Sequence, residues 1–310
     1  MKKNDFAFAG SAVRVLENSL LPASFFDSLE GASRQEAARL LADQGIEAFA
    51  SLPSSDEAER ILSDRLAAQF EELASLLEDR SVLDFLIVEN DFQNLKASLL
   101  NAVLKKDAGA YFIAPSLCDP AETDGLVKKK KWEEIPAVLR AAAEEGYGIL
   151  TSSMDSAYLR FYLDARCAEC RLALAGKTGS RAAQSAAAKL VDLQNRKAAR
   201  TLLSFERPRQ SLVDAAFAEG GSVPAREWKL AVAKKDGEAL AAFLPEESDP
   251  VAAEEEFYAS ERRRWEAASR EILTPDALFA YYFARKNECE KIRALWALSE
   301  LTDEEGKRNG

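Results

Sequence analysis

Apolar residues along this chain recur every three or four positions and hardly anywhere every two. That spacing gathers them on one face of an α-helix. Val88, Phe92, Leu95, Leu99 and Val103 make one such stripe. Leu62, Leu66, Phe70, Leu73 and Leu77 make another, spaced as on a helix packed lengthwise against a neighbour. In chain order the pattern predicts a helix from Phe6 to Leu21 stopped by Pro22, then a short one to Leu29. The capping box Ser33–Glu36 opens a third, closed by Gly45, and Ser54-Ser55-Asp56-Glu57 opens a long one to about Glu78. A further helix runs from after Ser81 to Lys106. Then follow Ile135 to Ala143 (closed by Gly146), Ser152 to about Ala175, Arg181 to Phe205, Pro224 to Lys235 (before Gly237), Pro250 to Leu273 and Ala277 to Glu300. Asp107 to Trp132, with Pro115, Pro120 and Gly125, reads as loop, as does Asp236 to Pro250, and the polar end from Thr302 reads as frayed. The fold class this gives is all-α.

One stretch of the pattern returns. Asp91-Phe92-Gln93-Asn94-Leu95-Lys96 is matched by Asp192-Leu193-Gln194-Asn195-Arg196-Lys197, and more loosely by Glu288-Cys289-Glu290-Lys291-Ile292-Arg293. The first acids of the three copies stand 101 and then 96 residues apart. A fixed period means one supersecondary unit used several times. On a wheel of about 100° per residue, Asp91 and Lys96 flank the apolar stripe, with Asn94 beside Asp91. Ile292 and Trp296 take the stripe positions of Leu95 and Leu99, whereas Arg196 and Arg200 break the rule in the second copy. The motif residues Asp91, Asn94, Lys96, Asp192, Asn195, Lys197, Glu288 and Arg293 therefore read as the polar border of packed helices, placed to bond a neighbouring element.

Composition sharpens the picture. The 310 residues are 47% hydrophobic and 30% charged, with only 14 Gly and 10 Pro, as expected of a helical globular chain. A net charge of −11 argues against a nucleic-acid partner, which wants a basic face. The absence of histidine removes Ser-His-Asp and Cys-His catalysis and the commonest metal ligand. Four cysteines behind Met1-Lys2-Lys3-Asn4-Asp5, a start without an apolar leader core, lead to the expectation of a reducing cytoplasm. No apolar run approaches the length of a membrane span.

The chemical constellations are weak. Gly176-Lys177-Thr178 lacks the earlier glycine and the strand of a phosphate loop, since Arg171 stands where that glycine belongs, and reads as a turn. Cys167-Ala168-Glu169-Cys170 has redox or zinc spacing but no second pair and no histidine, so it reads as two half-buried helix residues. Glu254–Glu256 and Arg262–Arg264 read as a charged solvent face. The run Lys128, Lys129, Lys130 and Lys131 before Trp132 suits a solvated loop, or contact with acidic headgroups or an acidic partner. Nothing in the chain reads as a catalytic, cofactor-binding or metal-binding site.

An aromatic-to-arginine first helix (Phe6, Phe8, Arg14) leads to Leu20-Leu21. Together with the Asp91–Lys96 motif, the Asp192-x-x-Asn195 pair and the closing Tyr282 and Glu288-x-x-x-Ile292-Arg293, it resembles the C subunit of V-type and A-type ATP synthases, which is similar to subunit d of eukaryotic vacuolar ATPases. The resemblance spans nearly the whole chain. It implies three pseudo-symmetric helical domains of about a hundred residues each, over 1–106, 107–206 and 207–310, arranged as a funnel. It further implies a non-catalytic rotor subunit on the cytoplasmic face of the membrane, present in one copy, joining central-stalk subunits D and F to the proteolipid ring for proton or sodium transport. No cofactor, nucleotide or small-molecule substrate belongs to that role. The rival reading is a free-standing all-helical scaffold or adaptor. Its usual solenoid units are about 20–50 residues long, far shorter than the period seen here.

Overall fold

The computed structural model describes residues 3–105, 112–244, 250–271 and 273–309, and their side chains except at 3–5, 250–258 and 300–309. Among the described residues all regular structure is helical: α1 (Lys3–Leu16), α2 (Ala23–Leu29), α3 (Arg34–Asp43), α4 (Ser55–Ser75), α5 (Asp84–Leu104), α6 (Pro120–Lys129), α7 (Ala137–Ser153), α8 (Ser156–Lys177), α9 (Arg181–Leu203), α10 (Gln210–Ala215), α11 (Ala225–Lys234), α12 (Gly237–Phe243), α13 (Pro250–Ala268) and α14 (Asp276–Asn309), with short 3-10 turns between some of them. The all-α expectation stands. The starts follow local chemistry. Ser54 and Glu57 form a reciprocal capping box on α4, Asp155 caps α8 through the Ala157 and Tyr158 amides, and Ser180 caps α9 through Ala183.

Several elements differ from the sequence expectation. The stretch read as loop before Trp132 contains α6, because Asp119 caps the Ala121 and Glu122 amides and Pro120 sits in the first turn, where its missing N–H costs nothing. Lys106 and the segment to Tyr111 lie outside the described residues. Gly146 does not close α7, which runs through it to Ser153. A Cβ there would stand 2.9 Å from Leu99 and 3.1 Å from Leu159, so the glycine lets α7 press against α5 and α8. Gly237 opens α12 behind the cap Asp236, and α14 continues beyond Glu300 to Asn309.

The chain divides into two compact units. One comprises 1–78 and 268–310, the two ends of the sequence. Its core gathers Phe25, Leu29, Leu41, Phe49 and Leu62 from the first part around Cys289, Ile292 and Trp296 of α14. Phe49 meets Trp296 edge-on at 4.9 Å, and Phe70 meets Tyr282 at 5.9 Å. The other unit comprises 79–267. There α5 packs against α6, α7 and α8, and α8 against α9 and α10. The expected stripe Val88, Phe92, Leu95 and Leu99 is buried there with Leu139, Leu150, Leu159 and Leu163. A second cluster of the same unit stacks Phe217 on Trp228 beneath Leu202, Leu212 and Val232. Burying a Leu, Phe or Val side chain contributes about 1.5–3 kcal/mol each, so these clusters are what hold the helices together.

Candidate functional site

Of the repeated motif, Asp91, Asn94, Asn195 and Glu288 are buried, Lys96 and Asp192 half-buried, and Lys197 and Arg293 exposed. On α5, Asp91 and Asn94 are both sequestered from solvent. Asp91 accepts hydrogen bonds from the Leu117 amide at 2.9 Å and the Cys118 amide at 3.1 Å. Asn94 faces Ile113 with both ends of its amide: Nδ2 donates to the Ile113 carbonyl at 3.0 Å, and Oδ1 accepts from the Ile113 N–H at 2.8 Å. Asn90 adds a bond from Nδ2 to the Pro115 carbonyl at 2.7 Å. The helix thus satisfies the backbone of an irregular segment that has no ladder partner of its own. It clamps a loop, where the sequence pointed only to some neighbouring element.

The second copy repeats this geometry. Asn195, fully buried, donates to the Ala218 carbonyl at 2.9 Å and accepts from the Ala218 N–H at 2.8 Å. Asp192 accepts from the Ser222 N–H at 2.6 Å and its hydroxyl at 3.0 Å. Gly220 and Gly221 make room for this approach. At Gly220 φ is +96° and a Cβ would meet Leu172 at 2.3 Å, while one on Gly221 would meet Asp192 Oδ1 at 2.4 Å. Arg196 and Arg200 break the expected stripe because the buried line of α9 runs through Val191, Asn195, Ala198 and Leu202 instead.

In the third copy the clamped segment is the one joining α1 to α2. Glu288 Oε1 accepts from the Leu21 N–H at 2.6 Å. Its Oε2 accepts from Arg285 Nη1 at 2.8 Å, and that guanidinium also donates to the Ser19 carbonyl at 3.0 Å, to Tyr281 Oη at 2.9 Å and to the Ser19 hydroxyl. Both charges are buried, so each depends on the other and on these hydrogen bonds. Lys291 replaces the motif asparagine and lies 4.9 Å over the Phe26 ring. In all three copies a proline follows the clamped residues within two positions (Pro22, Pro120, Pro224), and α2, α6 and α11 begin there.

The basic members act differently. Lys96 and Lys197, from α5 and α9, both lie near Asp164 of α8, whose carboxyl is raised by burial and drawn back by these cations and Arg160. Arg293 pairs with Glu59 of α4, its Nη2 reaching Oε1 at 2.9 Å. Burial lifts Asp91 to about 6 against the pull of the two amides, and together with the Asp91 charge it pushes the Cys118 thiol up to about 12. It likewise raises Cys167, and Cys170 to about 11, the direction that favours the thiol over the nucleophilic thiolate. Gly176 and Lys177 end α8, and the Thr178 hydroxyl bonds the Ala175 carbonyl at 2.8 Å.

In the lysine run, Lys128 pairs with Asp124 at 2.6 Å and Lys131 with Glu134 at 2.6 Å. Lys130 lies 4.9 Å over the Tyr147 ring, and Lys129 is exposed on the last turn of α6. The side chains of Glu254–Glu256 lie outside the described residues, while Arg264 bonds Glu261 at 3.2 Å and Ser185 at 3.1 Å. Among the described residues no three His, Cys, Asp or Glu side chains cluster to hold a metal ion, and no helix is long and apolar enough to cross a membrane.

Arg285, Gly220 and Gly221 were not singled out from the sequence. The legible signals were an arginine one helical turn before the third acid, and a glycine pair less than 30 residues after the second. No curated protein matches the chain. The sequence model of the ATP synthase (C/AC39) subunit family, however, matches residues 10–297, from the first helix through all three motif copies. With an all-helical fold and that span, the chain belongs to the ATP synthase (C/AC39) subunit family, whose members are subunits of V/A-type ATPases.

Proposed function

We propose that this chain is a non-catalytic central-stalk rotor subunit of a V/A-type rotary ATPase. In this reading it couples stalk subunits D and F to the membrane proteolipid ring, as a single copy on the cytoplasmic face. The observation that carries the reading is the family match over 10–297. The chemistry of the motif supports it: buried carboxylates and amides are spent on the chain's own loops, which stiffens helix-to-loop joints instead of presenting groups to a substrate. Closely packed helical interiors comply little under load, as a torque-bearing part requires. The three like thirds, 1–106, 107–206 and 207–310, and their funnel arrangement belong to the same proposal. Each third holds a proline-led short helix, a second helix, a long helix and a motif helix in that order.

The test is affinity purification of the tagged chain from detergent-solubilised membranes of its own cells. The expected result is co-elution of stalk subunits and proteolipid with ATPase activity. Elution of the chain without either, in repeated preparations, overturns the proposal and favours the free-standing scaffold. Lys128–Lys131 are proposed as a ring- or lipid-facing contact. Changing all four to Glu is expected to weaken retention of the chain on the membrane sector, and unchanged retention removes that assignment.

A further inference from the structure

The positive charge of this acidic chain is unevenly spread. Between Arg196 and Lys235 there are nine Lys or Arg and four Asp or Glu, a net of +5 within a chain of −11. Two parts of this stretch meet in space. The Lys235 Nζ donates to the Glu206 carbonyl at 2.8 Å, tying the end of α11 to the turn between α9 and α10. Between them lies an open concavity of about 300 Å³ whose lining carries three cations, Arg207, Lys234 and Lys235, against one carboxylate, Glu206. Arg207 and Lys234 are exposed, and neither has a carboxylate partner among the described residues. This sets them apart from Lys128 and Lys131, whose charges are locally paired. One turn back along the outward face of α11 stands Leu230, 55% exposed, and one turn further Arg226.

From this arrangement we infer that the outward face of α11 and the adjoining α9–α10 turn form a docking surface for an acidic, amphipathic protein segment. Its carboxylates would enter the basic concavity while an apolar side chain covers Leu230. Charge complementarity of this kind selects partner and register and speeds encounter, while the apolar anchor slows release. The surface suits a protein better than a bilayer. A membrane presents a flat plane of headgroups, which cannot enter a concavity. The inference rests on the reading of the chain as a subunit of an assembly.

The test places a benzophenone amino acid at Ala233, which lines the concavity, in the tagged full-length chain assembled in its own membranes. Crosslinked peptides are identified by mass spectrometry after irradiation. The expected product joins α11 to a segment of another subunit carrying two or more carboxylates within two helical turns of an apolar residue. The double variant Arg207→Glu/Lys234→Glu, whose side chains are exposed and whose melting temperature is expected to stay that of the parent, should lower the yield by about tenfold or more, and 0.5 M salt should act in the same direction. Crosslinks to lipid alone, to a basic or neutral segment, or at a yield unmoved by the double variant overturn the inference while leaving the subunit reading intact. Failure of the tagged parent chain to co-purify with the ATPase overturns both.

Discussion

Replacing Asn195 by Ala tests whether the motif asparagines act as backbone clamps. Asn195 and Ala218 are both 0% exposed, and the amide meets the N–H and the C=O of one residue at 2.8 and 2.9 Å. In Asn195→Ala both backbone groups stay buried with no partner and no route for water. Each such orphan costs about 1–3 kcal/mol, so the substitution is expected to destabilise its unit by about 2–6 kcal/mol. That is a large part of the roughly 5–15 kcal/mol that holds a domain folded. Asn94→Ala is the internal control. It breaks the same pair of bonds, but Ile113 is 39% exposed, so water can replace the lost amide. Its cost should stay near 1 kcal/mol, about the net value of ordinary hydrogen bonds. Asn195→Asp should resemble the alanine variant, because one carboxylate oxygen then faces the Ala218 carbonyl. Urea unfolding followed by circular dichroism gives the free energies, and hydrogen exchange at the Ala218 amide reports the clamp itself. If Asn195→Ala lies within about 0.5 kcal/mol of Asn94→Ala, below the spread expected between these two cases, the clamp account is wrong.

Three further outcomes are expected. Glu288→Ala leaves the buried Arg285 guanidinium without its counter-charge and should cost about 3–5 kcal/mol, with faster exchange of the Leu21 amide. Arg285→Met in the same chain should restore part of that loss, and full additivity of the two in urea titrations would contradict the pairing. Asp91 sits at about 6 in the folded protein against about 3.9 in an unfolded chain, so the folded state binds the proton more tightly. Its contribution to stability is therefore present below about pH 4 and falls by about 3 kcal/mol as pH rises to about 6. Asp91→Asn should show a flatter pH profile across that window, and parallel profiles would refute the assignment. Met154, at the end of α7, holds φ at +53° with its side chain 62% exposed. Met154→Gly relieves a left-handed conformation that costs an L-residue about 1–2 kcal/mol, less the entropy of glycine. A small rise in melting temperature is expected, and a fall would show that the side chain contributes a contact that outweighs the strain.

The helices were legible because their apolar spacing and caps are local. The stripe from Val88 to Leu99 and the Ser54–Glu57 capping box are each complete within one turn or a few. The motif could be found, but its purpose could not, since the groups it binds stand far off in sequence: 23 residues from Asn195 to Ala218, and 267 from Glu288 back to Leu21. Gly146 misled because a glycine that permits close helix crossing looks, in sequence alone, like one that ends a helix. The helix α6 was masked by Gly125, its lysines and the nearby Pro115, although Asp119-Pro120 carried its start signal.

The pairing of residues 1–78 with 268–310 has a consequence during synthesis. When Phe25, Phe49 and Leu62 leave the ribosome, Ile292 and Trp296, which complete their core, have not yet been translated. At ordinary elongation speeds of about 5–20 residues per second, that delay is on the order of 10–50 s. For that interval the nascent leading segment shows oily surface to the cell while the middle of the chain can already fold behind it. Chaperone occupancy should therefore peak on the leading segment and end only when the last helix emerges.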